Sequence, residues 1–301
     1  MTCVNDYDIT TQVLALCRFS GVQPRLFEAL ISHFGALEDI LLASTDTLMG
    51  VKGMTPEAAA QIASTSEHLQ KASGFYADLK GRNIEVKSRL DDEFPRRLFE
   101  LNDPPVLLYV RGRTPDNTGK TVAIAGAENA TNEGIELTVK LARRLASLGV
   151  QIIASLRRGI DAAAHLGAKA VAGASFSILD SGFDHICPAE HIPLAIDIAQ
   201  TGGVISEYPP DQVNTDETFK RSNRILAALA QAVVTTELYR ESTRTLDLLS
   251  CCNQIGKLTF LVIDPALGPL ADEESLNMAV TNGAILMVGL DKVDDIVKAL
   301  V

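Results

Sequence analysis

Three strings in the sequence carry side chains able to hold an anion. Residues 154–165 read ASLRRGIDAAAH, where Arg157 and Arg158 can clamp a phosphate, Gly159 admits a close backbone, and Asp161 can cap a helix carrying His165. Asp161 and His165 together are read as a structural network at the helix start. Residues 218–230 read TFKRSNRILAALA and set Lys220, Arg221, Asn223 and Arg224 where a helix is expected to begin. Fixed cations at a helix N-terminus are unfavourable unless an anion joins them, which marks this cluster as a phosphate site. Residues 122–134 read VAIAGAENATNEG, a strand, a turn at Gly126 and a helix starting near Thr131 or Asn132. Amides exposed there suit an anion, whereas Glu128 beside the turn would repel one.

Other chemistry finds less support. His185, Cys187 and His191 share one irregular loop at no common zinc spacing. The carboxylates Glu128, Asp161, Asp180 and Glu207 come from separate segments, without the spacing of a metal site or an acid–base pair. No GxSxG, HExxH or P-loop string occurs. The expectation is a binding protein with no catalytic residues, no metal and no cofactor.

The elements that must position these residues are legible from apolar patterning. Strands are expected at 122–125, 151–154, 175–179, 204–206, 232–236, 258–263 and 285–288, with amphipathic helices at 133–148, 160–172, 223–230 and 245–255. Short apolar strands alternating with helices predict an α/β fold, a Rossmann-like, doubly wound and mainly parallel sheet covered on both faces. Ligands on such sheets bind beyond the carboxyl ends of the strands, where all three strings lie. Ahead of this domain at 120–301, residues 76–119 read as a linker with short strands, and 1–75 as a small helical module of helix-hairpin-helix or SAM-like type. In that module Val51-Lys52-Gly53-Met54 turns into a helix that Thr55 caps and Pro56 begins.

Composition bounds the partners. With 47% hydrophobic and 22% charged residues the chain can bury a real core, and no apolar run approaches the ~18 residues of a membrane span. A cytoplasmic protein without a membrane partner is expected. Cys3, Cys17, Cys187, Cys251 and Cys252 show no CxxC spacing and are read as reduced thiols. The net charge of −11 argues against a broadly electrostatic nucleic-acid binder, so any such site must be a local basic patch on an acidic body.

Taken in order, the strings FPRRL...NDPPVLLYVRG (94–112), RGIDAAAH, SEYPP (206–210) and the basic NRI helix resemble the DprA/Smf family. The resemblance implies a protein that binds incoming single-stranded DNA, protects it and loads RecA onto it, as a homodimer joined through the Rossmann-like domain. Gly126, Arg158, Gly159, Asp161, His165, Arg221, Asn223 and Arg224 match the family pattern. Three departures alter the site, and together they exchange one positive group for a negative one. Glu128 stands at a family arginine, Ala154 and Ser155 replace a serine and a glycine, and residues 241–246 read ESTRTL in place of SGSLxTA. Arg157 and Arg244 are then the cations that can replace the lost charge. The alternative is a nucleotide-binding sensor or nucleotide-processing enzyme of the same superfamily, since Glu128 and an acidic body suit a compact ligand with a ribose.

Overall fold

The computed structural model of the chain describes residues 4–268 and 270–300; Cys3 lies outside them. Two compact units are present, one running to Phe94 with Asn102–Tyr109 added, the other formed by Pro95–Leu101 and the chain from Val110 onward.

Among the described residues the first unit holds six α-helices, α1 (Ile9–Leu14), α2 (Pro24–Phe34), α3 (Leu37–Leu42), α4 (Thr45–Leu48), α5 (Pro56–Ala63) and α6 (Leu69–Gly81). They enclose Leu16, Phe27, Leu30, Ile40, Leu48 and Ile62, all fully buried. Gly53 takes a positive φ of 82°, which a side chain would strain, and turns the chain into α5. Thr55 caps that helix by accepting the Ala58 amide at 3.2 Å, with Pro56 as its first residue. Strands β1 (Glu85–Ser88) and β2 (Leu107–Gly112) follow.

The second unit alternates β3 (Thr121–Ala125), α7 (Asn132–Ser147), β4 (Gln151–Ser155), α8 (Ile160–Lys169), β5 (Ser175–Ile178), α9 (Ile192–Thr201) and β6 (Gly203–Ser206). It continues with α10 (Asp216–Leu229), β7 (Ala232–Thr235), α11 (Thr243–Gln254), β8 (Leu258–Ile263), α12 (Glu273–Thr281), β9 (Ile285–Val288) and α13 (Val293–Ala299). The seven strands lie in the order β6-β5-β4-β3-β7-β8-β9 and pair in parallel. Alternate residues explain the two covered faces. Val122, Ile124, Ile152, Ala154 and Val234 meet Leu141, Leu145, Ile160, Ala164 and Ile296 of α7, α8 and α13. The intervening Ala123, Ile153 and Val233 are equally buried and point to the opposite face.

From β3 the chain steps outward as far as β6, then α10 returns it so that β7 pairs on the other side of β3. The loops leaving β3 and β7 diverge at this reversal, and a crevice opens at the strand ends. The helix α10 itself corrects one expectation: it begins at Asp216 rather than near residue 223. Thr215 and Thr218 close a capping box there, and Asp216 and Glu217 fill the first turn. Lys220, Arg221 and Arg224 therefore sit in the helix body, and the argument that they need an anion at a helix N-terminus does not apply.

Candidate functional site

A cavity of about 400 Å³ opens at the reversal, within the ~300–1,000 Å³ common for small-ligand sites. Its walls come from the loop after β3, the turn after β4, the start of α11 and one side of α10. Gly126, Arg157, Arg158, Asn223 and Arg244, five of the sequence-predicted site residues, line it. Gly159, Lys220, Arg221 and Arg224 do not.

The two glycines serve the chain's own packing. A Cβ on Gly126 would stand 2.6 Å from Ile160 Cγ1 and 2.8 Å from the Glu237 carbonyl oxygen. Its amide already donates to Asp161 Oδ1 at 3.3 Å, and its carbonyl accepts the Thr245 hydroxyl at 2.8 Å. Gly159 has φ +69°, and a Cβ there would lie 2.2 Å from the Ala127 carbonyl oxygen. The close backbone that Gly159 admits is thus residues 127–128 of this chain. The next amide, Ile160 N, donates to that same Ala127 carbonyl at 3.1 Å.

Asp161 does not cap α8, whose cap position is Gly159. Its buried carboxylate reaches back to the strand ends and accepts from the Ser155 hydroxyl and the Gly126 amide. Burial pushes its pKa up to about 6. His165 lies fully buried with Nδ1 2.6 Å from Ser175 Oγ and Nε2 2.9 Å from the Ser155 carbonyl oxygen. A carbonyl can only accept, so Nε2 carries the proton and Nδ1 accepts from Ser175. Burial pulls the imidazole pKa down to about 4, which keeps it neutral. Asp161 and His165 thus meet through Ser155, one at its hydroxyl and the other at its carbonyl.

Cations and carboxylates are matched around the cavity. Arg157 forms an ion pair with Asp180 and lies 3.8 Å from Glu128 Oε2. Arg244 Nη1 stands 3.9 Å from the same Asp180 oxygen, and Arg158 pairs at 2.6 Å with Glu190. The Arg157 and Arg244 guanidiniums rest over the Phe219 ring, 5.0 and 4.3 Å from its centroid. Asn223 supports this wall by donating to the Arg244 carbonyl at 3.3 Å. Arg221 and Arg224 turn instead to Glu207 Oε1, at 3.6 and 2.6 Å, and Lys220 is exposed on the surface. His191 places Nδ1 2.8 Å from the Leu156 carbonyl, so the loop carrying His185 and Cys187 closes against the turn after β4.

Sequence reasoning missed Phe219, Glu237 and Tyr239. Both carboxylate oxygens of fully buried Glu237 accept the Thr131 amide, at 3.0 and 3.1 Å, so the anion at the start of α7 is the chain's own. Tyr239 lines the cavity, and burial together with a hydrogen bond to Glu237 pushes its phenol up to about 12. A buried acid or aromatic close after a strand end was the available signal for both.

Comparison with known proteins supplies a family. DNA recombination-mediator protein A matches residues 85–300, and the SAM-like helix-hairpin-helix tandem matches residues 13–65. Protein Smf of Synechocystis sp. is 32% identical over 228 residues, which cover 74% of this chain and 57% of that protein. The chain thus spans little more than half the length of that relative. The solved DNA processing protein A of Streptococcus pneumoniae superimposes with a TM-score of 0.76 at 22% identity, covering 96% of this chain and 98% of that one. The Helicobacter pylori protein, described for its single-stranded DNA binding mode, gives a TM-score of 0.61 at 24% identity, covering 72% and 97%.

Proposed function

The chain belongs to the DNA recombination-mediator protein A family, the DprA/Smf proteins, and we propose that it is a single-stranded-DNA-binding mediator that engages the strand at the cavity between β3 and β7. The observation that carries this reading is the pair of guanidiniums, Arg157 and Arg244, flanking Phe219 at the strand-order reversal where open α/β sheets take their ligands. Phosphate oxygens match the guanidinium fork, and the about 400 Å³ of space admits one nucleotide of a strand. In this reading the protein works in the cytoplasm as a homodimer joined through the Rossmann-like unit, covers incoming single strands and hands them to RecA. Gly126, Gly159 and Asn223 shape the site, Arg157, Arg158 and Arg244 contact phosphate, and exposed Lys220 adds to the field while Arg221 and Arg224 hold Glu207.

The reading is non-catalytic because four carboxylates near the cavity already have work. Asp180 and Glu128 hold Arg157, Glu207 holds Arg224, and Asp161 accepts from Ser155 and Gly126. None stands ready opposite another as acid and base. One observation favours a second reading, a nucleotide-binding sensor: Glu128 and Glu241 line the same cavity, and carboxylates accept ribose hydroxyls. A titration of single-stranded DNA, duplex DNA and mononucleotides at about 50 and about 200 mM salt separates the two. Preference for the single strand with a steep salt slope is the expected result. Tight mononucleotide binding with a shallow slope would replace the mediator by the sensor.

A further inference from the structure

Asp180 lies just beyond β5 with its side chain only 12% exposed, and its one oxygen Oδ2 serves both cavity arginines. The two contacts are unequal. Arg157 Nη2 is hydrogen-bonded to it, whereas Arg244 Nη1 stands 3.9 Å away, buried and without a hydrogen-bond partner. One carboxylate oxygen therefore holds a pair of guanidiniums that it satisfies on one side only. Both guanidiniums also rest on the Phe219 ring, which keeps them in place independently of the carboxylate. Arg244 retains 37% exposure toward solvent, so a second anion can reach it.

Resting on the reading of the cavity given above, we propose that Asp180 is an internal counter-anion, and that a phosphate of the ligand binds by taking its place between Arg157 and Arg244. A phosphodiester carries the same single negative charge as the carboxylate. It presents two free oxygens in a guanidinium-matched geometry, so Arg244 Nη1 gains the hydrogen bond that Asp180 does not give. The exchange adds the phosphate's charge, since the displaced carboxylate stays on the chain, and it gives Arg244 Nη1 the hydrogen bond it lacks. Asp180 thereby sets the affinity: each binding event must first break its pair with Arg157. In the unliganded protein it spares the two arginines the cost of facing one another uncompensated.

The test compares Asp180→Asn, Arg157→Ala and the parent for binding of fluorescein-labelled oligo-dT at about 50 and about 200 mM salt, after far-UV circular dichroism has shown each variant folded. Asp180→Ser, smaller and equally uncharged, stands in if the asparagine variant does not fold. The expected result is tighter binding by D180N, roughly ten-fold, with a log–log salt slope steeper by about 0.7 because one more phosphate charge is neutralised. Inorganic phosphate alone should raise the melting temperature of D180N more than that of the parent. Parent-like or weaker binding by D180N, together with a weakened Arg157→Ala, overturns the exchange and leaves the cavity as the site. No change in either variant removes the cavity from DNA binding altogether, and the exchange with it.

Discussion

The cavity and the flank of α10 are built on the same small unit, one carboxylate oxygen shared by two arginines. At the cavity Asp180 gathers Arg157 from the turn after β4 and Arg244 from the start of α11, so three separate strand-end segments meet on one charge. On α10 Glu207 gathers Arg221 and Arg224 from a single helix and fastens that helix to the end of β6. The first unit faces open volume across Phe219. Neither Arg224 nor Glu207 of the second lines that volume, and they are only 12% and 11% exposed. Arginines of equal promise in the sequence thus divide into a pair placed to exchange partners and a pair that holds the fold.

That division predicts opposite consequences for single arginine deletions, and the largest effect belongs to α10. Arg224→Ala strips Glu207 of its 2.6 Å partner and leaves a buried carboxylate with Arg221 at 3.6 Å. Breaking a buried pair from one side costs about 3 kcal/mol, so urea unfolding should show a loss of that order. Oligonucleotide affinity of the folded fraction should change little. A variant of parental stability that has lost affinity would move the α10 cluster into the binding surface and dissolve the comparison.

Behind the cavity, Asp161 and His165 form a titrating element at the strand ends. His165, with its pKa lowered from 6.5 to about 4, stays neutral in the folded protein while the unfolded chain takes up a proton, so its contribution is lost as pH falls through that interval. Asp161, raised from 3.8 to about 6, behaves oppositely: the folded state holds the proton, and this contribution is lost as pH rises through its interval. Between pH about 4 and 6 the slopes, each about 1.4 kcal/mol per unit, cancel. Asp161→Asn should uncover the histidine alone, with stability dropping by about 3 kcal/mol more than in the parent between pH 6.5 and 4. Denaturant melts at stepped pH measure this, and parallel curves for parent and variant would show that Asp161 does not carry the opposing slope.

A smaller effect is expected where the cavity's function is read directly. Arg157→Ala should weaken oligo-dT binding by about 1–2 kcal/mol, the order of a charge-assisted hydrogen bond, with a shallower salt slope. Stability should fall as well, since Asp180, 12% exposed, is left with Arg244 at 3.9 Å. Anisotropy titration decides; equal affinity would shift the strand away from Phe219.

The frame of this site was legible in the sequence because its strands are uninterrupted apolar runs: Val122 to Ile124, Ile152 to Ala154 and Val233 to Val234 are all fully buried, a state that composition signals without help from distant residues. The start of α10 was not, since residues 216–222 read DETFKRS and show one apolar residue, Phe219, before the helical repeat develops. The cations were legible and their anions were not. Asp180 lies 23 residues from Arg157, and Glu237 lies 106 from Thr131, separations that only the parallel sheet closes. Local spacing therefore located groups able to hold a phosphate but could not show that Glu237, Asp180 and Glu207 already stand at those groups. The glycines illustrate the same limit: Gly126 and Gly159 signalled close approach, and the approaching atoms proved to be Ile160 and residues 127–128.

The finest distinction between the two regions concerns Glu128, which crosses the cavity mouth to Arg157 at 3.8 Å while remaining 41% exposed. At that distance and exposure the pair contributes well under 1 kcal/mol, so removing it does little to the fold. Its charge, however, stands beside the path a strand would take to Arg157, where a like charge raises the work of bringing a phosphate in. Glu128→Arg reverses that sign at the position where the family pattern has an arginine. Binding of oligo-dT should tighten several-fold, with a salt slope steeper by about 0.7 for the added phosphate partner. The matched control is Lys220→Glu, an equal and opposite change on the exposed surface of α10, which should alter affinity only through the long-range field and fade at about 200 mM salt. If Glu128→Arg and the parent bind alike while Lys220→Glu weakens binding at both salt concentrations, the strand runs along α10. The region assigned here to holding the fold would then be the one that holds the ligand.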